Sequence, residues 1–199
     1  QSPSFAILGG AKFETTAPLI ATLLERYDRV LIVGALANDV FKAKGLPVGV
    51  SLISQQLPGA DVLDNPHFLA PVDVTVEGPD KQARVKKPEE VEASDKIVDI
   101  GPDSIAKIAP VLEQSNFILW NGPSGLYEAG YVHFTPAIAE LIEPAVARGA
   151  QAVIGGGDTI AAIEESGIEE SKLGFLSTGG GAMLEYLLQG TLPGIEALA

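Results

Sequence analysis

Short uninterrupted apolar runs alternate along this chain with longer stretches whose apolar residues recur at helical spacing. The runs predict strands at Ser4–Gly9, Arg29–Gly34, Phe68–Val76, Lys96–Ile100, Asn116–Trp120, Ala152–Ile154 and Leu173–Ser177. Helical spacing predicts Glu14–Asp28, with Leu19, Ile20, Leu23 and Leu24 on one face. It also predicts Ala35–Lys44, ending at Gly45, and Thr135–Arg148, with a stripe of Ile138, Leu141, Ile142 and Val146. Further helices follow Gly101-Pro102, capped by Asp103 or Ser104 and running to about Gln114, and cover Asp158–Glu165 and Gly179–Gln189.

Other stretches break the alternation. Leu46–Asn65 reads as a loop with at most one short helix, and Val76–Val85 as a hairpin around Gly78-Pro79-Asp80. Lys86–Asp95 reads as a charged surface linker, and Thr191–Ala199 as a tail containing Leu192-Pro193-Gly194. Strands that are continuously apolar and alternate with helices belong to a mostly parallel sheet covered on both faces. The expected fold is therefore a single three-layer α/β/α domain over residues 1–199, with a small hairpin excursion near 72–87.

The turns after the strands carry the chemistry. Gln151–Thr159, QAVIGGGDT, runs from a buried strand into three glycines, a carboxylate and a helix. Glycines let main-chain amides close on an anion, and the helix that follows points its positive end at the same place. Asp158 suits a phosphate that arrives with a metal, because Mg²⁺ prefers carboxylate, water and phosphate oxygens. Gly179-Gly180-Gly181 repeats the arrangement after Ser177-Thr178, and Gly9-Gly10-Ala11-Lys12 places a lysine in a third such turn. In open parallel sheets ligands bind beyond the carboxyl ends of the strands, where every one of these clusters falls.

Composition narrows the ligand. The net charge of −13 and thinly spread basic residues argue against nucleic acid or an anionic membrane as partner. A polyphosphate would then be held by local means: amide dipoles, Mg²⁺ and a few placed cations. No cysteine is present, so thiol chemistry is excluded and a cytoplasmic location is the default; two histidines make a histidine metal site a poor expectation. No apolar run reaches the ~18–20 residues that span a bilayer. A Walker loop, a Gly-x-Gly-x-x-Gly fingerprint opening the first helix and a Gly-x-Ser-x-Gly elbow with a histidine partner are all missing. What remains is a nucleotide cradle built from separate turns. Lys12 supplies charge, Asp158 holds metal, the Gly179–Gly181 amides face the transferring group and Glu128 accepts from a ribose hydroxyl. Trp120 reads as core.

Six segments together resemble the phosphoglycerate kinase family, in that family's order. They are Ala6-Ile7-Leu8-Gly9-Gly10-Ala11-Lys12, Asp99-Ile100-Gly101-Pro102, Trp120 through Glu128 (WNGPSGLYE), Ile154 through Thr159 (IGGGDT), Ser177 through Ala182 (STGGGA) and Leu192-Pro193-Gly194. The match is to the nucleotide-binding C-terminal half. The resemblance implies six core strands in the order 3-2-1-4-5-6, Mg-ATP and Mg-ADP as ligands, and reversible phosphoryl transfer between 1,3-bisphosphoglycerate and ADP in glycolysis. By position it implies that Gly10, Ala11 and Lys12 contact phosphates, and that Gly34, Ala35, Gly101 and Leu126 line the adenine pocket. Asn121, Gly122 and Pro123 would neighbour the nucleotide, and Glu128 would take the ribose. Gly156, Gly157, Asp158 and Thr159 would hold metal and phosphate, and Gly179, Gly180 and Gly181 would face the migrating phosphoryl group. A monomer, inactive without the phosphoglycerate-binding N-terminal domain, is implied as well.

The chain also departs from that family. The N-terminal half is absent, with Gln1-Ser2-Pro3 falling where the interdomain connection ends. A second lysine expected four residues after Lys12 is Thr16, the adenine-side glycines read Val33-Gly34-Ala35, and Leu46–Asn65 is short. A catalytically impaired nucleotide-binding module on the same fold is the alternative expectation.

Overall fold

The computed structural model describes residues 1–197. Its strands are β1 (Ser4–Leu8), β2 (Arg29–Ile32), β3 (Phe68–Leu69), β4 (Val74–Glu77), β5 (Ala83–Lys86), β6 (Lys96–Ile100), β7 (Phe117–Asn121), β8 (Gln151–Gly155) and β9 (Phe175–Ser177). Its helices are α1 (Phe13–Arg26), α2 (Ala35–Ala43), α3 (Ala60–Leu63), α4 (Pro102–Gln114), α5 (Phe134–Ala147), α6 (Gly157–Ser166), α7 (Gly180–Gln189) and α8 (Pro193–Glu196). Six strands form one parallel sheet in the order β3-β2-β1-β7-β8-β9, the expected 3-2-1-4-5-6 once the small sheet is set aside.

Side-chain alternation along the strands sorts the helices into two layers. Phe5 and Ile7 of β1 face α4, α5 and α6 through Ile108, Leu112, Ile138, Ile142 and Ile163. Ala6 and Leu8 face the other way, onto Leu19, Ile20 and Leu23 of α1, Leu36 and Val40 of α2, and Met183 and Leu187 of α7. Trp120 is fully buried in the first layer, where its indole N–H donates to the carbonyl of Gly122 at 2.8 Å.

The structure corrects four expectations. Phe68–Val76 is two strands: β3 lies at the edge of the large sheet and β4 belongs to a separate one. Pro71 sits between them and has no N–H to give a ladder. Lys96–Ile100 pairs antiparallel with β4, in a three-stranded sheet of order β5-β4-β6, rather than joining the parallel sheet. The hairpin expected near Gly78 is present in that small sheet as β4 and β5. The small sheet packs Val74 and Val76 against Ala37 and Phe41, so α2 is covered on both sides.

The third correction concerns the start of α4. Neither Asp103 nor Ser104 caps it: Gly101 is the N-cap, and the carboxylate of Asp73 accepts the N–H groups of Asp103 and Ser104. The fourth concerns Lys86–Asp95, which is not simply a solvated face. Asp95 is 3% exposed and accepts from Lys86 Nζ at 2.7 Å. The Leu46–Asn65 loop holds the single short helix α3, as expected. The tail expected at Thr191–Ala199 includes α8, and residues 198–199 lie outside the described residues. No helix among the described residues is long and apolar enough to cross a membrane.

Candidate functional site

Along the carboxyl rim of the large sheet the post-strand turns touch in strand order. A Cβ on Gly34, after β2, would stand 3.3 Å from the Gly10 nitrogen. A Cβ on Gly9, after β1, would stand 2.6 Å from the Pro123 carbonyl oxygen and 2.8 Å from the Gly122 carbonyl carbon. These neighbours are backbone and cannot yield, so only glycine lets the two turns meet. Gly156, after β8, has φ +100°, and a Cβ there would lie 3.5 Å from the Gly122 nitrogen. Gly180, at the start of α7, leaves room for the Gly156 nitrogen and Asn121 Nδ2, which a Cβ would approach to 2.6 and 2.7 Å. The result is a row of turns: Gly34, Gly10, Gly122, Gly156, Gly180.

A cavity of 420 Å³ opens against this row and continues under α2 and the small sheet. Gly10, Ala11, Gly34, Ala35, Asn121, Gly122, Pro123, Leu126, Glu128, Gly156, Gly157, Asp158 and Thr159 all line it. Ala37, Phe41, Leu52, Pro71, Val74, Ile97 and Val98 give it an apolar stretch of wall away from α6. The start of α6 walls the other end, and the first N–H groups of a helix have no acceptor of their own. A ligand with a flat apolar part at one end and an anionic part at the other matches this polarity.

Five expected residues stand elsewhere. Lys12 is the exposed N-cap of α1 and does not line the cavity. Thr15 and Thr16 both donate their hydroxyls to its carbonyl, at 3.1 and 2.8 Å. Gly179, Gly180 and Gly181 do not line the cavity; Gly180 is buried against Gly156, and Gly181 is exposed. Gly101 lies against the Asp73 carboxylate, which leaves no space for a Cβ, and does not line the cavity either.

Sequence reasoning missed several wall residues. Lys96 is the sole cation in the described lining, against the carboxylates of Asp99, Glu128 and Asp158. Asp99 is 4% exposed, and burial raises its pKa to about 6. Hydrogen bonds from Ser124 and from the N–H groups of Ile100 (2.8 Å) and Phe134 (3.3 Å) oppose that rise. The Asp-Ile-Gly-Pro run marked Asp99 in the sequence; its burial between strand and loop did not show there.

Among the described residues, three buried side-chain polar atoms have no hydrogen-bond partner: Asn38 Oδ1, Asn121 Nδ2 and Thr159 Oγ1. All three residues line this one cavity. Buried polar groups are partnered as a rule, so these three are exceptions among the described residues, all on residues at one cavity. Mg²⁺ fits as a companion of that ligand rather than as a resident ion. Asp158 is one carboxylate at the anion end, and no cluster of three or more acidic, histidine or cysteine ligands exists among the described residues.

An open doubly wound α/β domain with a polar–apolar cleft at its carboxyl rim is the class that this fold and cleft define. Comparison with known proteins makes the class specific. The family model described as "Phosphoglycerate kinase" matches residues 1–190, and the chain belongs to that family. The phosphoglycerate kinase of Chloroflexus aurantiacus is 37% identical over 209 residues, covering 100% of this chain and 52% of the relative. That of Gloeothece citriformis is 40% identical with the same coverage. Among solved structures, phosphoglycerate kinase from Coxiella burnetii aligns with a TM-score of 0.80 at 33% identity, covering all of this chain and 53% of the other. The enzyme from Pyrococcus horikoshii aligns with a TM-score of 0.76 at 28% identity. The chain thus spans about half the length of the relatives it matches.

Proposed function

We propose that this chain is the nucleotide-holding, C-terminal half of a phosphoglycerate kinase. It binds Mg-ADP or Mg-ATP in the rim cavity while a phosphoglycerate-binding N-terminal domain supplies the other substrate. The reaction is reversible phosphoryl transfer between 1,3-bisphosphoglycerate and ADP in glycolysis. The observation that carries this reading is the row of post-strand glycine turns that meet along one rim, beside a cavity lined by Gly10, Gly34, Gly122, Gly156 and Asp158 at the start of α6.

Each group then has a task. Asn121 Nδ2, Thr159 Oγ1 and the first amides of α6 donate to phosphate oxygens. Glu128 accepts from a ribose hydroxyl, and the apolar wall from Phe41 to Val98 covers the base. Asp158 would hold the magnesium, which when bound neutralises phosphate charge. The amides around Gly179–Gly181, of which Gly180 abuts Gly156, face the phosphoryl group as it moves, and Lys12 supplies it with charge. Phosphoryl transfer draws mainly on positioning and charge, so these parts suffice without a nucleophilic side chain.

The impaired-module reading is favoured by one observation. The Thr16 hydroxyl donates to the Lys12 carbonyl at 2.8 Å, so the position of the family's second lysine offers neither charge nor a free donor. Titration calorimetry with Mg-ADP tests the shared part of both readings. A saturable heat with one site per chain is expected; no heat at millimolar nucleotide, with no thermal shift, sinks both. Adding the phosphoglycerate-binding half in trans separates them, because only the first predicts turnover.

A further inference from the structure

We propose that Asp39 is a positioning residue for phosphoryl transfer: it orients the Ser54 hydroxyl as an external cap for α1, and that cap fixes the main chain at Lys12. This rests on the nucleotide reading of the cavity and on the charge which that reading assigns to Lys12; it adds the group that holds the lysine in place.

The start of α1 has no cap of its own. Lys12 is the N-cap residue, and an ammonium carries three donors and no acceptor, so it cannot take an amide of the first turn. The Phe13 N–H donates instead to Ser54 Oγ at 2.8 Å, 41 residues further along the chain. An amide can only donate, so the Ser54 oxygen accepts from Phe13 and its own proton goes to Asp39 Oδ2, 2.8 Å away. Asp39 Oδ1 takes the Ser54 N–H at 2.7 Å, so one carboxylate fixes both the hydroxyl and the backbone that carries it. Bonds to an ionised acceptor are the stronger kind. Asp39 is fully buried on α2, and among the described residues no basic side chain pairs with it. Its carboxylate is thus engaged by Ser54 rather than by a cation.

The lysine is tied on its other side as well. The Gly10 carbonyl accepts the Leu36 N–H at 3.1 Å, and Gly10 and Ala11 line the cavity. Ala11 and Lys12 are therefore strung between two points on one helix: Leu36 directly, and Asp39 through Ser54. Glu14 adds a second tie to the same loop, its Oε1 accepting from the N–H groups of Gln55 at 2.6 Å and Gln56 at 3.0 Å. A cation that answers charge developing in the transition state acts best when it is held in place beforehand. The clamp from α2 through Ser54 supplies that constraint without touching the nucleotide.

The test labels the lysine amines by reductive ¹³C-methylation and follows the Lys12 resonance, assigned by its loss in Lys12→Arg, as Mg-ATP is added to this chain; calorimetry measures affinity alongside. In the unmodified protein the Lys12 signal is expected to shift as the site fills. Asp39→Ala and Ser54→Ala are each expected to shrink that shift by about half or more while changing affinity by no more than about threefold. Ser54→Thr, which keeps the hydroxyl, restores it. With the phosphoglycerate-binding domain supplied, Asp39→Ala should lower kcat about tenfold at near-constant KM and add nothing in a Lys12→Ala background, the mark of a residue that acts through Lys12. A full Lys12 shift in both alanine variants, or an equal further loss of kcat in the Lys12→Ala background, overturns the proposal and leaves Asp39 a fastening of the loop. The Ser54→Ala and Ser54→Thr pair decides the matter if Asp39→Ala fails to fold, and the resonance alone decides it if the paired halves do not turn over. No heat with Mg-ATP overturns the nucleotide reading itself; heat with an unmoved Lys12 signal in the unmodified chain overturns only the place given to Lys12 and, with it, the role of Asp39.

Discussion

Asp73 holds Ser104 three ways: its carboxylate accepts the Ser104 N–H at 2.8 Å and the Ser104 hydroxyl at 2.6 Å, and its own carbonyl accepts that hydroxyl at 3.2 Å. A residue just before β4 thus caps the helix that follows β6, tying the small sheet to the layer that covers the large one. Removing the carboxylate leaves buried N–H groups unpaired and takes a negative charge from a helix N-terminus. Asp73→Ala is expected to cost about 2–3 kcal/mol of stability, measured as a lower urea midpoint at unchanged slope. An unchanged midpoint would refute the capping role.

Asp99 makes stability depend on pH. Its folded pKa, about 6, lies above the ordinary aspartate value of 3.8 because burial disfavours the charged form. Between those values the folded state binds more protons than the unfolded one, so stability falls as pH rises from about 4 to about 6. The span is at most about 3 kcal/mol. Asp28 and Asp80, held near 2 by hydrogen bonds when folded, oppose this only near pH 4, where their unfolded forms still bind protons, and Asp39, raised by burial, acts in the same direction as Asp99. Asp99→Asn should flatten the profile of urea midpoint against pH between 4 and 6. A variant whose profile follows that of the unmodified chain would place the titration elsewhere.

Asp158→Ala should weaken Mg-ADP by about tenfold or more and metal-free ADP far less. Calorimetry with and without Mg²⁺ reads the two losses. Equal losses would assign Asp158 to the nucleotide alone.

Thr16→Lys restores a cation one turn into α1, beside Lys12. A lysine in the first turn faces the positive end of the helix, so a loss of a few tenths of a kcal/mol is expected. With the phosphoglycerate-binding domain supplied, the phosphotransfer rate should rise by about tenfold. A rate that stays level would mean that another group already carries this charge.

Local pattern determined a large part of this molecule. Continuous apolar runs such as Phe5–Leu8 and Phe117–Trp120 can only be strands buried on both faces, and glycines at their ends can only be tight turns into helices. The α/β class and the rim location of the cleft follow from those short-range rules, while the strand order was implied by the resemblance of six segments to one family. Tertiary structure decided what depends on partners distant in sequence. β6 reads like the other buried strands, yet it pairs with β4 and lies outside the parallel sheet. The cap of α4 arrives from Asp73, thirty residues upstream of Asp103. Asn38 is one polar residue in a helix until α2 is enclosed between two sheets and Leu52 takes its amide nitrogen; only then is its oxygen left buried and unpaired among the described residues. Periodicity records which face of an element is apolar, whereas the group that meets each face is set by packing across the whole chain.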